Sequence, residues 1–495
     1  MQQDKTAFNK FAKGSYFLIL DNLTNLGIGA VFWVIIAKMT DPAVIGQAMV
    51  VSTFATTIIG FTGFGINIAL SKYLSEYNAK NMPNTVRTVL RNGIRASLIL
   101  SGVGALVICL LSGQIATLAY QDSTLSILII FTIATFLPTQ TVVAAIQGAF
   151  NGLHTMKYVT ITDAIFQAAR MALAVLALIY GLGVFGILLG FTIASFISMV
   201  VCYFYLLPRV IPKSSEIKEK ISEGTGRIIR FASLNYATVG FNIFSPHLAI
   251  LVLGTQSFES AAFYGLALLV SKVVGSFSHS VGGALLPTAS EQLARGGKNN
   301  LEGPVNTAVR ISILISGFGF IFLMIDPTYF LSQISDSYVE AGWSLRILAT
   351  SAIMGAISSI MTSLLNAANR ASDVAKIGMT ASATIVVLTF ILATTNGLEG
   401  AAIALFIGTA LRLALSLVVL KQKEKMIISS KSVVGPFMAI MSGLIVGYMF
   451  VIWNHVLLGV IVAMVCYIVF SIACKVTTKR EIRQIIGIAV NRNRN

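Results

Sequence analysis

Apolar stretches of about twenty residues recur along almost the whole chain, and this repetition restricts the fold more than any other feature. An α-helix needs about 20 apolar residues to cross a bilayer, whereas a membrane β-strand needs about 10 residues of alternating polarity. Charged residues make up 11% of the 495 residues, well below the share of about 25% in soluble globular proteins. The sequence therefore predicts an all-α integral membrane protein.

The apolar pattern predicts about fourteen membrane-spanning helices. The first follows a basic, amphipathic start without a cleavage-site pattern, so we expect it to be retained and not removed as a signal peptide. The predicted spans are 15–37, 45–70, 94–113, 125–148, 159–180, 183–207, 232–254, 260–288, 304–325, 341–366, 377–394, 399–422, 434–453 and 456–476.

The distribution of Lys and Arg tests this count, because cytoplasmic loops of membrane proteins are enriched in both residues. With an even number of spans and both termini in the cytoplasm, 30 of the 35 basic residues fall on the cytoplasmic side. Lys38 falls outside, and the other four lie within spans. A missed helix would invert this bias downstream, so the pattern supports the predicted topology. The net charge of +16 therefore marks loops at one membrane face, and we expect no nucleic-acid partner.

The longest polar run between spans divides the helices into two groups of six and a final pair. We expect an N-terminal lobe at residues 1–207, a cytoplasmic linker at 208–231, a C-terminal lobe at 232–422, and a helix pair with a basic tail at 423–495. Short outer loops and longer basic inner loops are typical of transporters built from two repeats. The halves are too dissimilar to demonstrate a repeat, and unrelated spans joined by a long loop are the alternative.

Lys272 lies near the middle of its span, where a charged side chain costs about 3 kcal/mol on insertion scales. Ser276 and His279 follow at i+4 and i+7 and share its helical face. A lysine at this depth normally faces a protein interior or a water-filled cavity. We therefore predict that this face lines a cavity.

A second polar stripe combines Asp163, Gln167 and Arg170 on the fifth span. Asp163 and Arg170 are about 10 Å apart along the helix axis, so Gln167 is placed to bridge them. A polar lock between helices and an Arg170 that faces a central cavity are both open interpretations. Asp21 and Asn25 share a face of the first span, and they are interpreted, with Asp163, as a structural pair or a coupling-ion site.

The remaining polar residues within spans are further candidates for contact with a substrate. Arg346 lies near the outer end of the tenth span, and Arg412 is close enough to the inner interface to snorkel. Paired amides share a face on the fourth and seventh spans: Gln140 with Gln147, and Asn235 with Asn242. Within the spans, four basic residues stand against two acidic ones. This balance favours a phosphate-bearing substrate over an organic cation.

Signatures of catalysis are missing from the sequence. There is no nucleotide-binding G-x-x-x-x-G-K-[ST] loop, no H-E-x-x-H and no G-x-S-x-G. The four cysteines lack metal-ligand spacing. We therefore predict a protein that is not an enzyme and that carries neither a cofactor nor a metal site.

Several stretches resemble one family in their order and spacing, from about residue 10 to 422. They are AKMTDPAVIGQAMVVSTF with GFGINIALSKYLSEY, LAILVLGTQSFESAAFYGLALLVSKVV, GALLPTASEQLARGGKNNLEGPVNTAVRI, LLNAANRASDVAKIG and GLEGAAIALFIGTALR. The chain resembles the polysaccharide-export branch of the multidrug/oligosaccharidyl-lipid/polysaccharide (MOP) exporter superfamily. This resemblance implies two six-helix lobes of the MATE type around a central cavity, which opens alternately to the two sides of the cytoplasmic membrane. It also implies that a last helix pair borders a groove for a lipid tail.

The resemblance further implies a flippase that moves a polyprenyl-phosphate- or diphosphate-linked oligosaccharide across the membrane for surface glycan synthesis. We expect Lys272, with Arg170 and Arg346, to neutralise its phosphate, and the Asn and Gln stripes to bind its sugars. Membrane lipids and other glycan-assembly proteins are expected partners of a monomeric transport unit. A cation-coupled multidrug antiporter of the same fold and a scaffold of a glycan-assembly complex are the alternatives.

Overall fold

A computed structural model of the protein describes residues 25–63, 65–212, 244–294, 302–424, 426, 428–453 and 455–473. Throughout these ranges the ordered elements are helices, and the prediction of an all-α integral membrane protein is confirmed. Asp21, Asn235, Asn242 and most of the expected linker lie outside the described residues. The helices are α1 Asn25–Met39, α2 Pro42–Thr62, α3 Ile66–Ala79, α4 Pro83–Gln114, α5 Leu125–Gly152, α6 Lys157–Ile179, α7 Gly183–Val200, α8 Phe244–Gly254, α9 Phe258–Ala294, α10 Glu302–Ile325, α11 Pro327–Ser332, α12 Gly342–Ala367, α13 Ala371–Val419, α14 Ser430–Ile452 and α15 Val456–Ala473.

Within the described chain, eleven helical segments are long and apolar enough to cross a membrane. One of them, α13 with its short π-helical extension to Glu424, reverses direction at Gly397. Gly397 has a φ of +55°, which a glycine adopts without strain, and Gly408 then packs against Ile385 and Ala381. Treating this hairpin as two segments and adding the shorter α1 and α8 gives fourteen apolar segments. The number of crossings and the side of the termini stay predictions.

The described helices form two compact units. Unit 1 contains the described residues up to Leu269 together with Gly378–Gly408. Unit 2 contains Val270–Ile377 and the described residues from Thr409 onward. The unit boundaries thus fall inside α9 and α13, and the division into lobes at residues 1–207 and 232–422 stays a prediction.

In unit 1, glycines let helix backbones approach closely. A Cβ atom at Gly152 would lie 2.6 Å from the carbonyl oxygen of Ser71, and one at Gly148 would overlap the carbonyl of Asn67. α5 therefore packs directly on α3, as small residues allow in membrane proteins.

The Gly378–Gly408 hairpin of unit 1 is attached to α8 and to the turn after it by two hydrogen bonds. Ser245 donates to Ser382 at 3.3 Å, and Gln256 donates to the Ala393 carbonyl at 2.9 Å.

In unit 2, the final helix pair is docked on α10. The hydroxyl of Tyr467 donates to the Leu314 carbonyl at 2.6 Å, and the hydroxyl of Tyr448 donates to the Met324 carbonyl at 2.6 Å.

Two ion pairs lie where the two ends of the α13 hairpin meet. Lys423 pairs with Asp373 at 2.6 Å, and Arg370 pairs with Glu424 at 2.9 Å. These ion pairs join the start of the helix to its last turns.

Candidate functional site

Lys272 lies on α9 in unit 2 and is half-buried. No hydrogen bond or ion pair joins it to the described part of the chain. Ser276, one turn further on, is buried and donates to the Val273 carbonyl at 2.8 Å within its own helix. The side chain of His279 lies outside the described residues. Among the described side chains of this face, Lys272 is thus the one that carries a charge, and no described group neutralises it.

Arg346 lies on the neighbouring helix α12, within about one helical turn of the level of Lys272, although the predicted spans placed one near an outer end and the other near the middle. A Cβ atom at Gly275 would lie 3.1 Å from the Ala352 carbonyl oxygen, and one at Gly282 would lie 3.3 Å from that of Ser359. The second contact lies seven residues further along on both helices, so α9 and α12 run parallel. Lys272 lies three residues before Gly275, and Arg346 lies six residues before Ala352. The two cations are therefore offset by about three residues, or about 4.5 Å along the helix axes.

The guanidinium of Arg346 lies over the ring of Trp343, with 4.9 Å to the ring centroid. Trp343 is 63% exposed, which suits an aromatic residue at a membrane interface. The Nε atom of Arg346 is buried and has no hydrogen-bond partner in the described structure. Unit 2 thus places two cations on adjacent parallel helices, and neither is neutralised by a described carboxylate.

Arg170 is enclosed by aromatic rings in unit 1. Its guanidinium carbon lies 4.1 Å from the ring centroid of Phe32, 4.7 Å from that of Phe191 and 5.5 Å from that of Phe166. The side chain is 6% exposed, and its Nε and Nη2 atoms have no hydrogen-bond partner among the described residues. Cation–π attraction of about 2 kcal/mol or more at desolvated sites offsets part of the cost of this burial. We call this site the Arg170 pocket.

Asp163 is the centre of a hydrogen-bond network that joins three helices of unit 1. It accepts from the side-chain amide of Asn25 at 2.9 Å and from that of Gln147 at 2.5 Å. Gln167 donates to the side-chain oxygen of Asn25 at 2.9 Å. Gln140, two turns before Gln147, is half-buried and has no hydrogen-bond partner in the described chain. The stripe of Asp163, Gln167 and Arg170 is therefore linked through Asn25 at one end and stacked on phenylalanines at the other.

Unit 2 also contains an apolar groove with a volume of about 420 Å³, bordered in part by α14 of the final helix pair, where the family resemblance implied a groove for a lipid tail. Its walls come from α10, α12, the end of α13 and α14, and we call it the unit 2 groove. Ile357, Leu417 and Phe437 are among its apolar lining, and Lys421 stands among its few polar residues. The signal in the sequence was slight, because each wall residue is ordinary within an apolar span.

The described residues contain no cluster of three or more His, Cys, Asp or Glu side chains able to hold a metal ion. The polar groups that the structure gathers are amides, one carboxylate and cations. Such groups bind sugars, phosphates and protons, and they offer no described nucleophile–base pair.

A model of the family described as polysaccharide biosynthesis protein matches residues 11–292, more than half of the chain. The chain belongs to this family. The resemblance to the polysaccharide-export branch of the MOP exporter superfamily is thereby confirmed, as is the prediction of a multi-pass protein of the cell membrane. Stage V sporulation protein B of Bacillus subtilis is 21% identical over 429 residues, which cover 81% of this chain and 82% of that protein.

Two solved structures of other proteins are similar in fold to this member of the polysaccharide biosynthesis family. The lipid II flippase MurJ in an inward closed conformation matches with a TM-score of 0.74 and 14% identity, over 93% of this chain and 97% of that one. The eukaryotic MATE transporter AtDTX14 matches with a TM-score of 0.61 and 15% identity, over 88% and 99%. At such low identity the likeness shows a common fold and does not extend to the substrate.

Proposed function

We propose that the protein is a flippase that moves a lipid-linked oligosaccharide from the cytoplasmic to the outer leaflet by alternating access. The observation that carries this proposal is the pair of Lys272 and Arg346. Two cations at similar depth, without a described carboxylate partner, match the charge of a phosphate or diphosphate linkage. Membership of the polysaccharide biosynthesis family supports a glycan substrate.

Binding energetics favour the same substrate class. A cation in a membrane interior is costly while it lacks a partner, and an anionic headgroup supplies that partner. Lys272 contributes a point charge, and Arg346 contributes a planar group that bonds two phosphate oxygens at once. Lys272 would then bind the phosphate while the protein changes conformation, and Arg346 would provide additional hydrogen bonds to it.

The unit 2 groove supplies a place for the lipid part of such a substrate. Its lining is mainly aliphatic, and Lys421 and Asn306 are polar residues beside the apolar walls. A polyprenyl chain is branched and wholly apolar, so it gains from contact with such walls through the hydrophobic and dispersion terms. Arg170, Ser276, His279, Gln140, Gln147, Asn235 and Asn242 stay predicted substrate contacts, as glycan-assembly proteins stay predicted partners.

The test is transport in proteoliposomes that contain the full chain and a fluorescent undecaprenyl-diphosphate-linked disaccharide. A membrane-impermeant quencher reports how much probe reaches the opposite leaflet. Lys272→Ala should abolish movement of the probe, while Lys272→Arg should keep part of it. Arg412→Gln, which removes the other basic residue of a predicted span in unit 2, is the matched control and should transport normally.

The outcomes separate the three functions. Normal transport by Lys272→Ala would refute the assignment of this residue. Loss of transport in Asp163→Asn alone, with movement of organic cations by the parent protein, would favour the antiporter. A triple variant with neutral residues in place of Arg170, Lys272 and Arg346 would distinguish the scaffold. If cells with this variant still make surface glycan, the scaffold function is favoured.

A further inference from the structure

A second groove lies in unit 1, and its lining includes none of the residues predicted to contact the transported substrate. It has a volume of about 930 Å³ and is bounded by the first half of α4 and by the turns that follow α7. We call it the arginine groove. The lining residues that matter here are Arg87, Arg91, Arg95, Leu98, Tyr203 and Phe204.

Three arginines project from one face of α4 at positions i, i+4 and i+8. They lie in the first half of the helix, and its first turn contains no acidic residue. Like charges at i and i+4 on one helix face repel each other, and no acidic residue of the first turn offsets them. The arrangement costs free energy unless an anion is present.

No described carboxylate offsets this charge. Arg87 is held in place because its Nε donates to the Pro212 carbonyl at 2.8 Å. Arg91 and Arg95 are exposed, and neither forms an ion pair or a hydrogen bond with the described residues. The lining of the groove contains no Asp or Glu. Three arginines thus line one groove without a described counter-charge, and such a lining suits a phosphate.

Next to the arginines, the groove becomes apolar. Leu98 is 46% exposed, one turn beyond Arg95 on the same helix face. Across the groove, Tyr203 and Phe204 are 44% and 64% exposed, on the π-helical turn Val201–Leu206. The groove therefore offers cations at one end and aromatic and aliphatic surface at the other, which matches an amphiphile with an anionic head.

The position in the membrane selects the kind of amphiphile. The charge pattern assigns this end of α4 and α7 to the cytoplasmic face, where anionic lipids are concentrated. Basic pockets between membrane helices at that face bind anionic lipid headgroups. Enrichment of arginine at cytoplasmic helix ends explains three positive charges, but it does not explain a groove whose apolar wall faces them.

We propose that the arginine groove binds an anionic phospholipid of the cytoplasmic leaflet. The phosphate lies between Arg91 and Arg95, Arg87 closes the headgroup end, and an acyl chain lies along Leu98 and Phe204. This lipid is a bound component of the protein and is distinct from the transported molecule. The proposal does not depend on the proposed function.

The test is native mass spectrometry of the full chain in detergent, titrated with phosphatidylglycerol or with zwitterionic phosphatidylcholine. Neutralising two phosphate contacts should weaken phosphatidylglycerol binding about tenfold or more in Arg91→Gln/Arg95→Gln, since each basic residue near the headgroup contributes about 1 kcal/mol. Phosphatidylcholine binding should be unchanged. Lys157→Gln removes a charge from the same predicted membrane face, outside the groove, and should bind both lipids as the parent protein does.

Two further measurements make the result decisive. Phe204→Ser should weaken phosphatidylglycerol binding while leaving the melting temperature unchanged, because this ring is mostly exposed. Equal binding by the arginine variants and the parent protein would overturn the proposal. So would equally effective competition by glycerol 1-phosphate, which has a headgroup without chains. Displacement of phosphatidylglycerol by much tighter binding of undecaprenyl diphosphate would make the groove a substrate site instead.

Discussion

At the scale of single residues, the structure separates two kinds of cation within the predicted spans. Arg170 is surrounded by phenylalanine rings, whereas Lys272 is half-buried and has no described partner. The sequence predicted both as unusual residues in spans but gave no means to tell them apart. Phe166 precedes Arg170 by one helical turn, but Phe32 and Phe191 are distant in the chain and only the fold brings them together.

The Arg170 pocket leads to a prediction about coupling. In a double-mutant cycle, Phe32→Leu and Arg170→Met should show an interaction of about 1–2 kcal/mol in the free energy of unfolding, because they remove the same cation–π contact. Phe131→Leu, in the same unit and outside the pocket, should not couple to Arg170→Met. Unfolding by denaturant titration in detergent measures both cycles, and a coupling near zero for Phe32 would contradict the stacking.

The network around Asp163 leads to a second prediction. Asp163→Asn replaces an acceptor oxygen by a donor, so one of the amides of Asn25 and Gln147 loses its acceptor. The cost should be about 1–3 kcal/mol of stability, as for other buried groups left unsatisfied. Asp122→Asn, at a helix end where water can replace the lost acceptor, should cost less. Equal melting temperatures for Asp163→Asn and the parent protein would show that the network is not structural.

At the scale of the element, close packing of helix backbones was not predictable from the apolar pattern. Gly148 and Gly102 both stand in predicted spans and look alike in the sequence. In the structure, Gly148 contacts the backbone of α3, whereas a Cβ atom at Gly102 would meet nothing within 4 Å. The pattern predicts that a helix exists, but which of its faces meets a neighbour depends on the tertiary fold.

This difference gives a matched pair of substitutions. Gly148→Ala should lower the melting temperature and destabilise the protein by several kcal/mol, because the Asn67 backbone has to move to admit the methyl group. Gly102→Ala should be neutral or slightly stabilising, since alanine is the better helix former. Thermal unfolding followed by fluorescence-detected size-exclusion chromatography compares the two. A tolerated Gly148→Ala would show that α3 and α5 are not in backbone contact.

The ion pairs at the ends of α13 make one prediction about pH. Asp373 precedes the apolar stretch that starts at Ile377, and the hydrogen bond from Lys423 lowers the pKa of its carboxyl. A folded-state pKa below the unfolded value gives stability that is present above about pH 4 and is lost as the pH falls through the lowered pKa. Asp373→Asn should therefore melt below the parent protein at pH 7, with the difference shrinking as the pH falls below about 4. Lys423→Gln should remove the same pH-dependent part, and an equal gap at both pH values would contradict the assignment.

At the scale of the whole molecule, the sequence was sufficient for the class of fold, because bilayer thickness dictates the length of an apolar helix. It also placed a break near residue 397, where Gly397 makes the turn of the α13 hairpin. Short structured pieces between spans were missed, such as α11, whose start is capped by Asp326 accepting from the backbone N–H groups of Thr328 and Tyr329. The arginine groove was missed as well, and for the unit 2 groove only the family resemblance implied a groove beside the final helix pair, since each is made by segments far apart in the chain.

The docking of the final helix pair gives a prediction at this scale. Tyr448→Phe and Tyr467→Phe each remove one hydrogen bond to a backbone carbonyl of α10, and each should cost about 0.6 kcal/mol, with an upper bound near 1.7. Leu314 and Met324 are about 15 Å apart along α10, so the costs should add in the double variant. Strong non-additivity in the unfolding free energies would indicate that the pair detaches as one body.

Unit 1 is built from two separate stretches of the chain, and this has a consequence for its biosynthesis. The ribosome finishes Leu269 well before it reaches Gly378–Gly408, the hairpin that completes the unit. At ordinary translation speeds this interval is on the order of ten seconds. During that time the Ser382 hydroxyl and the Ala393 carbonyl, which pair with Ser245 and Gln256, have not yet been made. The first helices of unit 1 are therefore synthesised well before the hairpin that completes the unit, and they lack these two contacts until it follows.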